Sequence, residues 1–241
     1  MTLSRFVLAL LVSLISTPAA LAQTASDDWH VTVAPYLMGA GLTGAIGAGP
    51  LEAEIDASIS EVFSHLEFGI MGIVAARKGA WGVGVDGIYS GFGVTADRPP
   101  ADIDVNQTLV AGYALRRLNE FAELTFGARL NYFDTGITLK NVAGAAGRDQ
   151  WWIDPIAGVI LQSPARGRLT ARVYGEIGGF GLGSTFAWQL FPGIGIAVAD
   201  NASLDIGYRW VGTDYESGDG ADRFVMDTLM QGPVIGFSVR F

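Results

Sequence analysis

Val234-Ile235-Gly236-Phe237-Ser238-Val239-Arg240-Phe241 puts Ile235, Phe237, Val239 and Phe241 on one side of an extended chain and Val234, Gly236, Ser238 and Arg240 on the other. A two-residue period is the mark of a β-strand with two unlike faces. Upstream, Leu204 to Trp210 repeats it, with Asp205, Gly207 and Arg209 on the face opposite Leu204, Ile206, Tyr208 and Trp210. Leu124 to Tyr132 and Leu169 to Ile177 do the same, with Arg129, Arg172 and Glu176 on their polar faces.

Ten such segments run along the chain, near 29–42, 67–78, 81–94, 103–115, 122–139, 150–162, 168–180, 185–198, 203–214 and 224–241. Each is long enough for a tilted strand to cross a bilayer, which takes ~9–11 residues. Short connections at 79–80, 116–121, 163–167 and 199–202 alternate with longer or more polar ones at 43–66, 95–102, 140–149, 181–184 and 215–223. That alternation predicts an all-β fold, a transmembrane antiparallel up-and-down β-barrel with short periplasmic turns and longer external loops. Ten strands is the expected count, with eight and twelve as the neighbouring even numbers. A soluble sandwich or lipocalin-like barrel is the rival. It would bury its apolar faces, and the face carrying glycine with Asp, Glu and Arg makes a poor dry core.

Composition agrees. Of 241 residues, 50% are hydrophobic and 16% charged, which excludes disorder. Gly at 33 residues is about twice the usual ~7% and lies inside the apolar stretches, which disfavours helices. There is no Cys, so thiol chemistry, thiolate metal sites and disulfides are excluded. A net charge of −9 without a basic patch argues against a nucleic-acid partner. Residues 1–22, with Arg5, an apolar run from Phe6 to Ile15 and an Ala20-Leu21-Ala22 ending, read as a signal peptide. The run is too short for a membrane anchor. The expected organisation is therefore a cleaved leader over 1–22 and a barrel over 23–241.

The final strand resembles the assembly signal of bacterial outer-membrane proteins, with its terminal aromatic Phe241 and apolar residues at Val239, Phe237 and Ile235. The Gly207-Tyr208-Arg209 strand is similar to penultimate strands of small OmpA-like, OmpW-like and porin-like barrels. The resemblance implies a Gram-negative outer-membrane location and partners among outer-membrane lipids, lipopolysaccharide and the barrel-assembly machinery. It carries no enzyme motif.

Little else points to chemistry. Gly39 to Gly44 fits G-x-G-x-x-G, but no helix start follows, as a dinucleotide site needs. His65, with Asp56 or Glu61, could serve a rim enzyme, against the plainer reading of a solvated loop histidine. Ser58 and Glu61 form a capping-box pattern for a short helix on the rim or in the lumen, against an ordered loop. The acidic loop from Asp214 to Asp222 lacks EF-hand spacing and reads as solvated. No cofactor and no catalytic or metal site is expected. Trp29, Trp81, Trp151, Trp152, Tyr89, Trp188, Tyr208 and Trp210 are expected in interfacial girdles.

The inward face presents Asp86, Arg129, Asp154, Arg172, Glu176, Asp205 and Arg209. Four acids against three bases predict ion pairs filling a narrow lumen rather than a one-signed pore. The expected role is a structural outer-membrane barrel, or one with a narrow path for small solutes. A diffusion pore is the alternative, and a rim enzyme on lipid or peptide the third.

Overall fold

The computed structural model describes residues 28–64, 66–97, 100–140 and 145–241. The expected leader over 1–22 and His65 lie outside them. The strands are β1 (His30–Met38), β2 (Gly41–Ala48), β3 (Leu51–Ala57), β4 (Leu66–Lys78), β5 (Trp81–Asp97) and β6 (Pro100–Arg117). There follow β7 (Ala122–Leu139), β8 (Ala145–Gln162), β9 (Leu169–Gly178), β10 (Phe186–Ala199), β11 (Ala202–Ser217) and β12 (Phe224–Arg240). From β4 to β12 each strand pairs antiparallel with the next, and β1 pairs with both β4 and β12. The result is a closed barrel of ten strands, with β2 and β3 as an added hairpin. Val31 N donates to Phe241 O at 3.0 Å and Phe241 N to Val31 O at 2.8 Å, so the seam closes at the end carrying the short turns.

Side-chain alternation sorts outward from inward residues with few faults. Leu37, Ile70, Val74, Val85, Phe126, Leu130, Ile153, Ile177, Ile194 and Ile206 are exposed on the outside. Ile235, Phe237 and Phe241 share that face. Tyr89, Thr108, Tyr132 and Trp151 occupy one register row on four adjacent strands. Trp81 lies eight residues before Tyr89 on β5, which is roughly 27 Å along a strand. That separation fits an apolar band bounded by aromatic girdles.

Beyond the Tyr89 row the chain departs from expectation. The segments expected as loops at 43–66 and 95–102 are largely strand, as is the described part of 140–149, whereas 215–223 leaves β11 at Ser217 and turns through a 3-10 helix over Gly220–Asp222. The acids of the strand segments are not loop signals, because they alternate too: Asp102 and Asp104 are exposed while Ala101, Ile103 and Val105 are buried. β2 continues β1 beyond a break at Gly39–Ala40 and keeps pairing with β12. β3 returns beside it and leads through the helix α1 (Ile59–Ser64) into β4. Gly232 faces the Gly39 carbonyl so closely that a Cβ there would collide with it. The capping box forms: Ser58 N donates to Glu61 Oε2 at 2.8 Å and Glu61 N to Ser58 Oγ at 3.3 Å. α1 replaces what would have been a continuous strand, and it buries Val62.

In this outer storey the barrel flattens into two facing sheets, the upper ends of β5–β8 against β11, β12, β2 and β3. Among the described residues no ladder joins β3 to β5, or β8 to β11. Side chains hold the sheets together instead. Phe92, Val94, Ile103, Val105, Phe133, Ile137 and Trp152 of one pack against Ile46, Ile55, Phe224, Met226, Met230 and Tyr215 of the other. The Trp152 ring stacks on Tyr215 with centroids 3.8 Å apart and on Phe133 at 5.5 Å. Trp152, expected in a girdle, is thus an interior residue, because its parity is that of Asp154 rather than of Trp151. The polar lumen inferred for the whole barrel gives way here to a dry core.

Candidate functional site

The lumen gathers charged side chains away from bulk water. Strand parity aims Asp86 of β5, Arg129 of β7, Asp154 of β8, Glu176 of β9 and Arg209 of β11 inward, and all five are buried. Asp86, Ala111, Arg129 and Asp154 form one register row, so three of the five share a level.

Arg209 is the hub. Its Nη2 donates to Asp86 Oδ2 at 2.7 Å and to Gln189 Oε1 at 2.6 Å, and its Nη1 donates to Tyr36 Oη at 2.7 Å. Nε also reaches Gln189 Oε1, at 2.9 Å. Tyr36 in turn donates to Asp86 Oδ1 at 2.8 Å. The guanidinium lies 5.8 Å from the ring centres of Tyr36 and Phe191. Because β11 and β5 lie far apart around the wall, this cluster bars the lumen from side to side.

Arg129 and Glu176 meet more loosely. Arg129 Nη2 stands 3.6 Å from Glu176 Oε1, and Arg129 Nε and Nη2 and Glu176 Oε1 make no hydrogen bond within the described residues. Tyr174 donates to the other Glu176 oxygen. A cavity of about 10 Å³ lies between Arg129, Arg209 and Asp86, about the space of one water.

Asp154 has no cationic partner among the described residues. It accepts instead from Ser184 N at 2.6 Å, Ser184 Oγ at 2.9 Å, Asn131 Nδ2 at 2.9 Å and Trp152 Nε1 at 3.2 Å. Four donors can hold a buried carboxylate without a countercharge. Here they also pin the connection from Gly179 to Thr185, which covers the short strand β9. That turn is tight, with Gly179, Phe180 and Gly181 all at positive φ.

Arg172 and Asp205 stand apart from this layer, toward the short-turn end. Arg172 is exposed and Asp205 half-buried; Asp205 accepts from Ser203 Oγ at 3.3 Å, and neither forms an ion pair within the described residues. The pairs there are ones the alternation did not single out. Glu123 takes Arg77 at 3.0 Å and Arg117 at 3.4 Å. The inward glycines make room for rings: a side chain on Gly84 or Gly127 would run into Tyr113, and one on Gly207 into Phe191.

Above the Arg209 layer the apolar core between the two sheets lies across the axis. A cavity of about 20 Å³ lies in that core among Phe133, Met226 and Met230. On the outside, Arg223 binds Glu52 and Glu216 at 2.6 and 2.7 Å, and Arg148 binds Asp222 at 3.0 Å. The Glu52 hydrogen bond, then that of Glu216, raises the Arg223 guanidinium above its ordinary pKa. The acidic loop is therefore tied partly into ion pairs. Among the described residues no cluster of three or more His, Asp or Glu is arranged to hold a metal. The G-x-G-x-x-G stretch is the strand break and the start of β2.

Neither a protein-family model nor a curated protein matches the chain. Among solved structures it is similar to the outer membrane protease OmpT of Escherichia coli, with a TM-score of 0.57 at 8% identity, over 92% of this chain and 99% of that one. The attachment invasion locus protein Ail of Yersinia pestis gives 0.38 at 12% identity, over 88% and 98%. Neisserial surface protein A gives 0.32 at 15%, over 91% and 100%. The last two scores are too low to argue from. The likeness to OmpT, at its low identity, concerns architecture and not activity: the chain has the closed antiparallel β-barrel fold of outer-membrane proteins.

Proposed function

We propose that this chain is an integral outer-membrane protein with a structural role, a self-sealed barrel that holds a rigid two-sheet cap beyond the membrane. The observation that carries this reading is the pair of barriers in series. The Arg209–Asp86–Tyr36–Gln189 cluster crosses the lumen, and an apolar core lies above it. Free diffusion needs a continuous aqueous path, and the cavities at the two barriers, about 10 and about 20 Å³, each offer about the space of one water.

The short-turn end belongs in the periplasm and the cap outside, by the usual loop asymmetry of such barrels. The lipid-facing row Ile235, Phe237, Val239 and Phe241 would be read by the assembly machinery before lipid covers it, and outer-membrane lipids and lipopolysaccharide would surround the band. The chain is proposed not to be an enzyme, since the buried carboxylates are engaged with Arg or hydrogen-bond donors and none faces a cleft that admits a substrate.

Single-channel recording of the refolded barrel in a planar bilayer tests the proposal. The expected trace is a silent membrane with heat-shifted, folded protein present on gels. Large steady currents from the same folded protein would transfer the reading to a diffusion pore.

A further inference from the structure

The lipid-facing wall is apolar except at the short-turn end, where two cations flank a tryptophan. Lys78, Trp81 and Arg116 are register partners on β4, β5 and β6. Their parity points them outward, since Arg77 and Leu115 beside them point in. Trp81 is 59% exposed, and Lys78 is exposed too. The Arg116 guanidinium carbon lies 4.7 Å over the Trp81 ring. Stacking of that kind fixes the guanidinium plane and leaves its N–H edge free. Neither cation forms an ion pair or hydrogen bond with a described residue. Of the acids nearest in sequence to Arg116, Glu120 is exposed in the turn between β6 and β7, and Glu123 is turned inward and held by Arg77 and Arg117. Two strand spacings separate Lys78 from Arg116, roughly 10 Å, which is a span that one headgroup can bridge with two long side chains.

The wall directly above this trio is shaped as well. Up β6 from Arg116 the outward positions are Ala114 and Gly112, and a Cβ built on Gly112 would meet open space. Val83 and Val85 on β5 and Phe126 on β7 stand proud on either side. The outcome is a shallow apolar trough that starts at the two cations and runs along the barrel axis.

We infer that Lys78, Trp81 and Arg116 form a binding site for one anionic phospholipid of the periplasmic leaflet, its phosphate between the two cations and an acyl chain in the Ala114–Gly112 trough. The site rests on the reading of the chain as a membrane barrel with its short turns in the periplasm. Charge complementarity selects the headgroup, the trough selects a chain-bearing ligand over free phosphate, and the indole supplies the interfacial body on which the glycerol region lies.

Native mass spectrometry of the refolded full chain, titrated in detergent with phosphatidylglycerol or with diacylglycerol of the same chains, tests it. Phosphatidylglycerol is expected to stay bound and diacylglycerol not. The K78Q/R116Q double variant should lower the retained phosphatidylglycerol about ten-fold or more, and each single variant less. The R166Q/R168Q variant removes the same charge from the same rim, in the turn between β8 and β9, and should bind as wild type does. Equal retention of the two lipids, unchanged binding by K78Q/R116Q, or an equal loss in R166Q/R168Q would each overturn the site. Heat-shifted migration of every variant is scored alongside. Its loss in the wild type would strike the membrane-barrel reading, whereas a normal shift without phosphate-dependent retention strikes the lipid site alone.

Discussion

The two storeys of this molecule use the same two-residue alternation and fill their interiors in opposite ways. Below the Tyr89 row many inward positions are Gly, Ala, Ser and Thr, with charged groups such as Glu123 and Arg172, rings such as Tyr113 and a few aliphatics such as Leu115 and Ile156 among them. Above it they are Ile, Val, Phe, Met and Trp, packed between two sheets. On the membrane-barrel reading proposed above, the lipid bilayer explains the contrast. Where lipid surrounds the wall, the apolar face must turn outward, so the polar face is left for the lumen. Where water surrounds it, the same strands invert and behave like a sandwich of a soluble protein. β6 records the change within one strand. Val110 and Ala114 share an outward parity with Asp104 and Asp102, so the outer face passes from apolar to acidic around Asn106.

The most damaging way to break this contrast is to carry a lower-storey residue into the upper one. Val105→Asp would put a carboxylate among Phe92, Phe133 and Met230 with no cation to meet it. A buried unpaired charge costs several kcal/mol, so the variant is expected to fail to refold to the heat-shifted form in detergent. Thr170→Asp, inward but in the open lower storey, should refold normally. Equal behaviour of the two would dissolve the distinction.

Next in size is Arg209→Ala at the border between the storeys. It strips Asp86 of its cation and should cost about 3–5 kcal/mol in a denaturant titration. Its bilayer current should nevertheless remain at the wild-type level, because the dry cap lies in series with the lost barrier. Current through this variant would show that the Arg209 cluster alone was the seal.

Trp152→Phe sharpens the comparison from the cap side. Phenylalanine keeps the stack on Tyr215 but withdraws the indole N–H from Asp154 and Ser184, for a loss of about 1–2 kcal/mol. Protease access to the Gly179–Thr185 connection should rise in parallel, since Asp154 anchors it. An unchanged denaturation midpoint would mean that the ring stack alone holds the cap.

The ten-strand barrel could be read from the alternation alone, and so could the inward parity of Asp86, Arg129, Asp154, Glu176 and Arg209. What parity cannot supply is height along the axis. Arg172 and Asp205 share the inward face with the others yet stand nearer the short-turn end, out of reach of the central cluster. Tyr36 and Gln189, both bonded to Arg209, carry no charge and stood out from nothing in their segments. The cap was concealed for a different reason. Acids at 52, 54, 56, 102 and 104 looked like loop composition, although each is separated from the next by a residue that the fold buries. The inversion of parity at Asn106 was the available signal.

Outermost on the cap, Lys140 meets Asp102 at 2.9 Å. That hydrogen bond, first among its causes, holds the Asp102 carboxyl below its ordinary range. A lowered carboxylate pKa favours the folded state above the ordinary carboxylate range and loses that favour as the pH falls through the lowered value. The pair is fully open to water, so Lys140→Gln is expected to leave the denaturation midpoint unchanged at neutral pH and in acid. A measurable acid-dependent loss would mean that the cap's exterior ion pairs matter as its interior does.

The meeting of β1 with β12 bears on how the molecule is made. Eight of the other joins of the ten-strand ring are hairpins between strands consecutive in the chain, and the join of β1 to β4 spans only β2, β3 and α1. The join of β1 to β12 brings Val31 to Phe241, nearly the whole chain apart. Until it forms, the growing sheet presents two long unpaired edges, each competent to pair with another chain. Closure over such a span is slow compared with hairpin formation, so the open sheet is the longest-lived species before the finished ring. An escort that shields the edges of β1 and β12 would therefore govern yield more than any interaction inside the completed barrel.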